Sequence, residues 1–158
     1  YEIAVAGECP VWGYTQYYDV TATNSYYTPY LTKVKQFGEL NANRYIFAQC
    51  TDLTEVSGDK LITENTFKNV TDMSYMFAEC TNLVTIDLSR FDTSKVTSMY
   101  AMFGKCQSLK TLDLRSFDTS KVESMGYMFL KCENLVELDI SSFNTQNVQR
   151  YGGYIFRL

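Results

Sequence analysis

Phe91–Leu114, FDTSKVTSMYAMFGKCQSLKTLDL, is followed almost unchanged by Phe117–Ile140, FDTSKVESMGYMFLKCENLVELDI. Phe91, Phe117 and Phe143 are spaced by 26 residues each time. Self-similarity at a fixed period identifies a repeat architecture before any single motif is weighed. Working outward, three clear copies share V-x-x-M-x-x-M-F-x-x-C-x-x-L-x-x-L/I-D-L/I, at Val70–Leu88, Val96–Leu114 and Val122–Ile140. A degenerate copy, RYIFAQCTDLTEV, begins at Arg44 and places Phe47, Cys50, Leu53 and Val56 at the matching positions. Cys50 and Cys80 are 30 residues apart, and the surplus falls in the polar run SGDKLITEN, as insertions in repeats usually map to loops on one face. The last copy, FNTQNVQRYGGYIFRL, is partial: it keeps Val148, Tyr154 and Ile155 and stops before any Cys or L-x-x-L-D-L.

Each unit combines two periods. V-x-x-M-x-x-M-F spaces apolar residues by three and four, which predicts a short helical or 3₁₀ turn. L-x-x-L-D-L switches to alternation, predicting a short strand with Ile86, Leu112 and Leu138 inward and the following Asp outward. The Ser/Thr/Asp-rich FDTSKV returns the chain to the next unit. No 26-residue unit buries its apolar side alone, so the units are expected to stack as a solenoid, with parallel strands about 4.8 Å apart. The predicted organisation is a tyrosine-rich N-terminal β/loop cap over 1–42 and a solenoid over 43–158, with one degenerate, three clear and one partial repeat.

Eight of the 13 tyrosines fall in the first 45 residues. Glu2–Ala6 reads as a short strand, and Tyr14–Tyr30 as short strands and loops. Two readings of these tyrosines stay open. One is a cap over the apolar end of the first repeat, preferred because solenoids require caps. The other is an aromatic contact patch for a ligand or partner.

Composition narrows the function classes. Of 158 residues, 46% are hydrophobic and 20% charged, ordinary for one folded domain. A net charge of -4 argues against nucleic acid and anionic membranes as partners. There is no histidine, so the commonest general base and the commonest metal ligand are both missing. No apolar run approaches the roughly 18 residues of a membrane span. The start, YEIAVAGECP, lacks the basic region of a signal peptide and begins without Met, so the chain reads as a processed piece with any signal or anchor elsewhere.

The string MFxxCxxLxxLDLSxFDTSxV resembles the BspA-like (bacterial surface antigen type) class of leucine-rich repeats, strongly over Val70–Val148 and weakly over Asn43–Asn69. The resemblance implies a leucine-rich-repeat solenoid that is extracellular or on a cell surface, used for adhesion or recognition without catalysis. It names no ligand, since repeat scaffolds serve many partners.

Several recurring residues invite a chemical reading. Cys50, Cys80, Cys106 and Cys132 hold one repeat position, with Cys9 outside it. They lack the close C-x-x-C pairs of zinc sites, and stacked side chains pointing one way make poor disulfides, so a buried ladder of thiols is expected. Cys9 is a candidate partner for Cys50 in an oxidising setting. Asp87, Asp113 and Asp139 form a second column, flanked by Thr85, Thr111 and Glu137 and followed by Ser89, Arg115 and Ser141. Aligned carboxylates repel and need compensation. Either each Asp accepts turn N–H groups, or the face carrying Thr85, Asp87, Thr111, Asp113, Arg115, Glu137 and Asp139 is a ligand-binding strip. A calcium site needs more oxygen ligands than this column supplies. Thr93 and Thr119 are expected to cap the following helical turn. The Met columns (Met73, Met99, Met125; Met76, Met102, Met128) beside Phe77, Phe103 and Phe129 read as core and not as a copper site. Asn69-Val70-Thr71 is a glycosylation sequon.

No catalytic residues, metal site or cofactor emerge from the motifs. The function expected is a non-enzymatic surface or secreted recognition module for a protein or glycan. The alternative is a structural subunit of a surface fibre or virion, joined head to tail through its ends. That reading follows from the missing C-terminal cap and puts Tyr17, Tyr18, Tyr26, Tyr27, Tyr151, Tyr154 and Phe156 at the assembly surface. A carboxylate-based hydrolase using Asp113 and Asp139 ranks last.

Overall fold

A computed structural model describes residues 2–4, 33–36, 44–56 and 69–149. Six short strands occur in chain order: β1 (Glu2–Ala4), β2 (Lys33–Gln36), β3 (Glu55–Val56), β4 (Thr85–Ile86), β5 (Thr111–Asp113) and β6 (Glu137–Asp139). β1 to β4 form one sheet in that order, and β5 and β6 form a second. Every pair is parallel. Thr111 pairs with Glu137 and Asp113 with Asp139, one 26-residue period apart, while Glu55 pairs with Thr85 across the longer 30-residue interval. The chain also passes between the two sheets, where the Lys110 N–H donates to the Val84 carbonyl at 3.4 Å. Tyr17, Tyr18, Tyr26, Tyr27, Tyr151, Tyr154, Phe156 and Cys9 lie outside the described residues.

Among the described residues there is no helix, and V-x-x-M-x-x-M-F is a run of tight turns. The cause is visible in the backbone. Tyr45, Tyr75, Ala101 and Tyr127, and then Gln49, Glu79, Lys105 and Lys131, all have φ between 51° and 68°. A left-handed residue rotates the peptide planes out of a helical ladder. Alternate residues therefore bond in different directions. The N–H groups of Tyr75, Phe77 and Glu79 donate to Tyr100, Met102 and Gly104 of the next unit at 2.8–2.9 Å. Those of Met76, Ala78 and Cys80 donate three residues back, to Met73, Tyr75 and Phe77. The strand side runs the opposite way: Val136 donates to Lys110 of the preceding unit at 2.9 Å, and Asp87 to Val56.

The core is built from the recurring columns. Phe47, Phe77, Phe103 and Phe129 stack with ring centroids 5.3, 5.7 and 6.0 Å apart and planes within 13° of parallel. The six methionines of the repeats, with Leu53, Leu83 and Leu109, are fully buried beside them. Burying one such side chain stabilises the fold by roughly 1.5–3 kcal/mol, so the columns dominate the packing energy. Thiols join them: the Sγ atoms of Cys80, Cys106 and Cys132 donate to the carbonyls of Phe47, Phe77 and Phe103 at 2.9–3.1 Å. Thr93 is buried and stitches units instead of capping a helix. Its Oγ1 accepts from the Asp118 N–H at 2.8 Å and donates to the Asp118 carbonyl at 3.1 Å. Thr119 does the same to Asn144.

Candidate functional site

The face carrying β4, β5 and β6 is flat and polar. Thr85, Asp87, Thr111, Asp113, Arg115, Glu137 and Asp139 are all exposed, whereas Ile86 and Leu112 point inward and Leu138 is half-buried. The three aspartates share one task. Asp87, Asp113 and Asp139 each accept, at 3.0 Å, the backbone N–H two residues on, from Ser89, Arg115 and Ser141. This is the turn geometry that short acidic side chains favour, and it ends each strand after two or three residues. Repulsion along the column is relieved by Arg115, which grips Asp113 at 2.5 Å and reaches Asp139 at 3.9 Å. The Arg115 guanidinium holds the Asp113 carboxyl down at about 2, and hydrogen bonds from Ser141 lower Asp139. The candidate strip is thus assembled on one face, but its carboxylates are engaged in holding their own turns. A small cavity of about 420 Å³ lies between Asp87, Ser89, Asp113 and Arg115 at its edge. Val136, 80% exposed, adds an apolar point on the same side.

The turn side carries a feature that the column-by-column reading of the sequence missed. Tyr45 and Tyr75 stack with centroids 4.8 Å apart. Tyr100 continues the row 5.4 Å from Tyr75, tilted by 59°, and Tyr127 lies 5.5 Å beyond it, edge-on at 74°. Four half-buried rings thus form a ridge across four successive units. Tyr45, Tyr75 and Tyr127 occupy one repeat position, in Tyr-[Ile/Met]-Phe, and Ala101 interrupts it. Tyr100 supplies the missing ring from the preceding residue. Burial pushes the Tyr75 phenol up to about 12, with the neighbouring Tyr100 and Tyr45 adding to it, and burial likewise raises Tyr45. The ridge therefore stays neutral through the physiological range and presents ring faces and O–H groups.

A groove runs along each side of the ridge. One, of about 310 Å³, is floored by the small residues Ala78, Ala101 and Gly104 and closed by Leu130. Its rim carries a Lys105–Glu79 pair at 2.5 Å, with Gln49 Nε2 donating to the other Glu79 oxygen at 2.7 Å. The other groove, of about 520 Å³, is polar and lined by Asp72, Ser74, Ser98, Ser124, Glu123 and Gln149 below the rings. Ser74 and Ser98 hydroxyls are 2.8 Å apart, and Arg44 Nε donates to Asp72 at 2.6 Å, a contact that raises the arginine.

Among the described residues, no group of three or more His, Cys, Asp or Glu is arranged to hold a metal ion, and no helix is long and apolar enough to cross a membrane. Residues 41–157 match the family described as "Mycoplasma protein of unknown function, DUF285". No curated protein and no solved structure matches the chain.

Proposed function

We propose that this chain, which belongs to the DUF285 family, is a non-enzymatic recognition module of a secreted or cell-surface protein, built as a leucine-rich-repeat solenoid of the BspA-like class. The observation that carries this reading is the tyrosine ridge: four aromatic rings from four units, side by side, half-exposed and bordered by two grooves. Aromatic side chains combine a large apolar surface with a polar tip and few rotatable bonds, which makes them the usual anchors of binding surfaces. The core columns do not require them there, because Phe47, Phe77, Phe103 and Phe129 already fill the interior. The ridge thus favours the turn side over the Asp87–Asp113–Asp139 face, whose carboxylates serve their own turns.

The alternative, a structural subunit of a surface fibre or virion assembling head to tail, draws on a different observation. Neighbouring units are joined by backbone groups, and any further unit of the same kind offers the same groups. One experiment separates the two. Sedimentation over a concentration series is combined with binding of the chain to immobilised extracellular proteins and glycans. A monomer with saturable binding, weakened by Tyr100→Ala, is the expected result. Open-ended growth with no binding to any immobilised partner overturns the recognition reading.

A further inference from the structure

We propose that the ridge and its polar groove form a binding site for an uncharged glycan chain, whose pyranose rings lie on Tyr45, Tyr75 and Tyr100. This inference rests on the recognition reading and names its ligand class. A pyranose is amphipathic on the scale of one ring: one face is lined with C–H bonds, and hydroxyl groups surround the rim. Its recognition needs two surfaces at an angle, one aromatic and one rich in hydrogen-bonding groups. The π-face of tyrosine carries negative charge density that attracts C–H dipoles. Directly beside the rings, the polar groove presents the carboxylates of Asp72 and Glu123, the hydroxyls of Ser74, Ser98 and Ser124, and the Gln149 amide. These are the donors and acceptors a sugar rim requires, and a few converging polar groups next to apolar walls are the general form of a ligand site.

Three observations select an uncharged glycan over other ligands. The groove holds two carboxylates, and its Arg44 is already bound to Asp72, which disfavours sulfated or uronic-acid polymers. The rings are spaced at 4.8–5.5 Å along the stack, so one platform follows another at a constant interval. A polymer of identical amphipathic residues meets such a surface repeatedly, whereas a folded protein partner buries a few anchors within an apolar patch. Such an apolar slot exists only on the far side of the ridge, over Ala78, Ala101 and Gly104, and it holds about 310 Å³.

The test titrates the whole chain with tetrasaccharides of N-acetylglucosamine, of β-linked glucose and of α-linked glucose, with heparin as the anionic contrast. Heteronuclear NMR reads both affinity and location. At least one uncharged tetrasaccharide is expected to bind, with shift changes concentrated at Tyr75, Tyr100, Ser98 and Glu123. Tyr100→Ala is expected to weaken it about tenfold, since an aromatic contact supplies on the order of 1 kcal/mol beyond its area. Glu123→Gln, an exposed substitution that leaves the core untouched, shifts affinity or sugar preference, while Asp113→Asn on the strand face changes nothing. Should Tyr100→Ala fail to fold, Glu123→Gln and the shift map on the unaltered chain decide. Binding of heparin alone, shifts confined to the strand face, or binding of an extracellular protein without any sugar each overturns the glycan proposal. The last of these leaves the recognition reading standing, whereas self-association without any ligand removes both.

Discussion

Thr93 shows how one hydroxyl joins two units. It both accepts from and donates to Asp118, and removing it strands a backbone N–H and a carbonyl in a buried place. Thr93→Val keeps the shape and loses both bonds, so it is expected to destabilise the protein by roughly 2–3 kcal/mol, and Thr93→Ser by much less. Urea unfolding of the two variants measures the difference. Near-equal midpoints would mean that the stitch is energetically idle. The thiols invite a second test. Burial pushes Cys80 and Cys106 well above the ordinary value of 9.0, and lifts Cys132 to about 11. Unfolding releases thiols that ionise near 9, so the stability gained by keeping them neutral is complete below that pH. It is lost as the pH rises further, by about 1.4 kcal/mol per thiol for each unit while the folded form stays protonated. Unfolding midpoints from pH 7 to pH 10 should fall steeply, and less so in Cys106→Ala. In the native protein at pH 8 these three thiols should resist a water-soluble thiol reagent and react once guanidinium is added. Rapid native labelling would contradict their burial.

At the scale of the element, the left-handed positions set the turn. Lys131 is exposed and has φ 57°, a conformation costing about 1–2 kcal/mol for any residue with a Cβ. Glycine relieves that strain and loses about 0.5–1 kcal/mol to chain entropy, so Lys131→Gly should leave the melting temperature unchanged or raised. Lys131→Val, β-branched in the same conformation, should lower it. A drop with glycine would show that the turn does not depend on this backbone angle. These turns also mark where the sequence is silent. Apolar spacings of three and four fit helix, 3₁₀ turn and left-handed turn alike, and Glu79, Lys105 and Lys131 carry no glycine or asparagine signature. The strands were easier to read, because alternation places Ile86 and Leu112 inward and the aspartates outward. The pairing interval of Leu112 with Leu138 is the 26-residue period itself. The tyrosine ridge was half visible. Tyr-[Ile/Met]-Phe recurs at Tyr45, Tyr75 and Tyr127, but Tyr100 stands one residue out of phase. Only the fold shows that its ring enters the row.

For the whole molecule, a period of fixed length makes a testable statement about what may be removed. Deleting 26 residues, Phe91–Ser116, joins Arg90 to Phe117 and returns every column to its place. The shortened chain should fold cooperatively with a lower melting temperature, as nearest-neighbour stacking predicts. Deletion of half a period should abolish the transition seen by circular dichroism. Equal behaviour of the two would rule out interchangeable units. The opposed hydrogen bonds described above explain why such edits are tolerable. On the turn side each unit donates to the one after it, and on the strand side to the one before it. The two sets of peptide dipoles point against each other, in contrast to a helix, whose dipoles add along its axis. A longer stack therefore accumulates no voltage between its ends. Copy number becomes a neutral variable, which duplication or loss of a gene segment can lengthen or shorten as a ruler, without any electrical penalty on the fold.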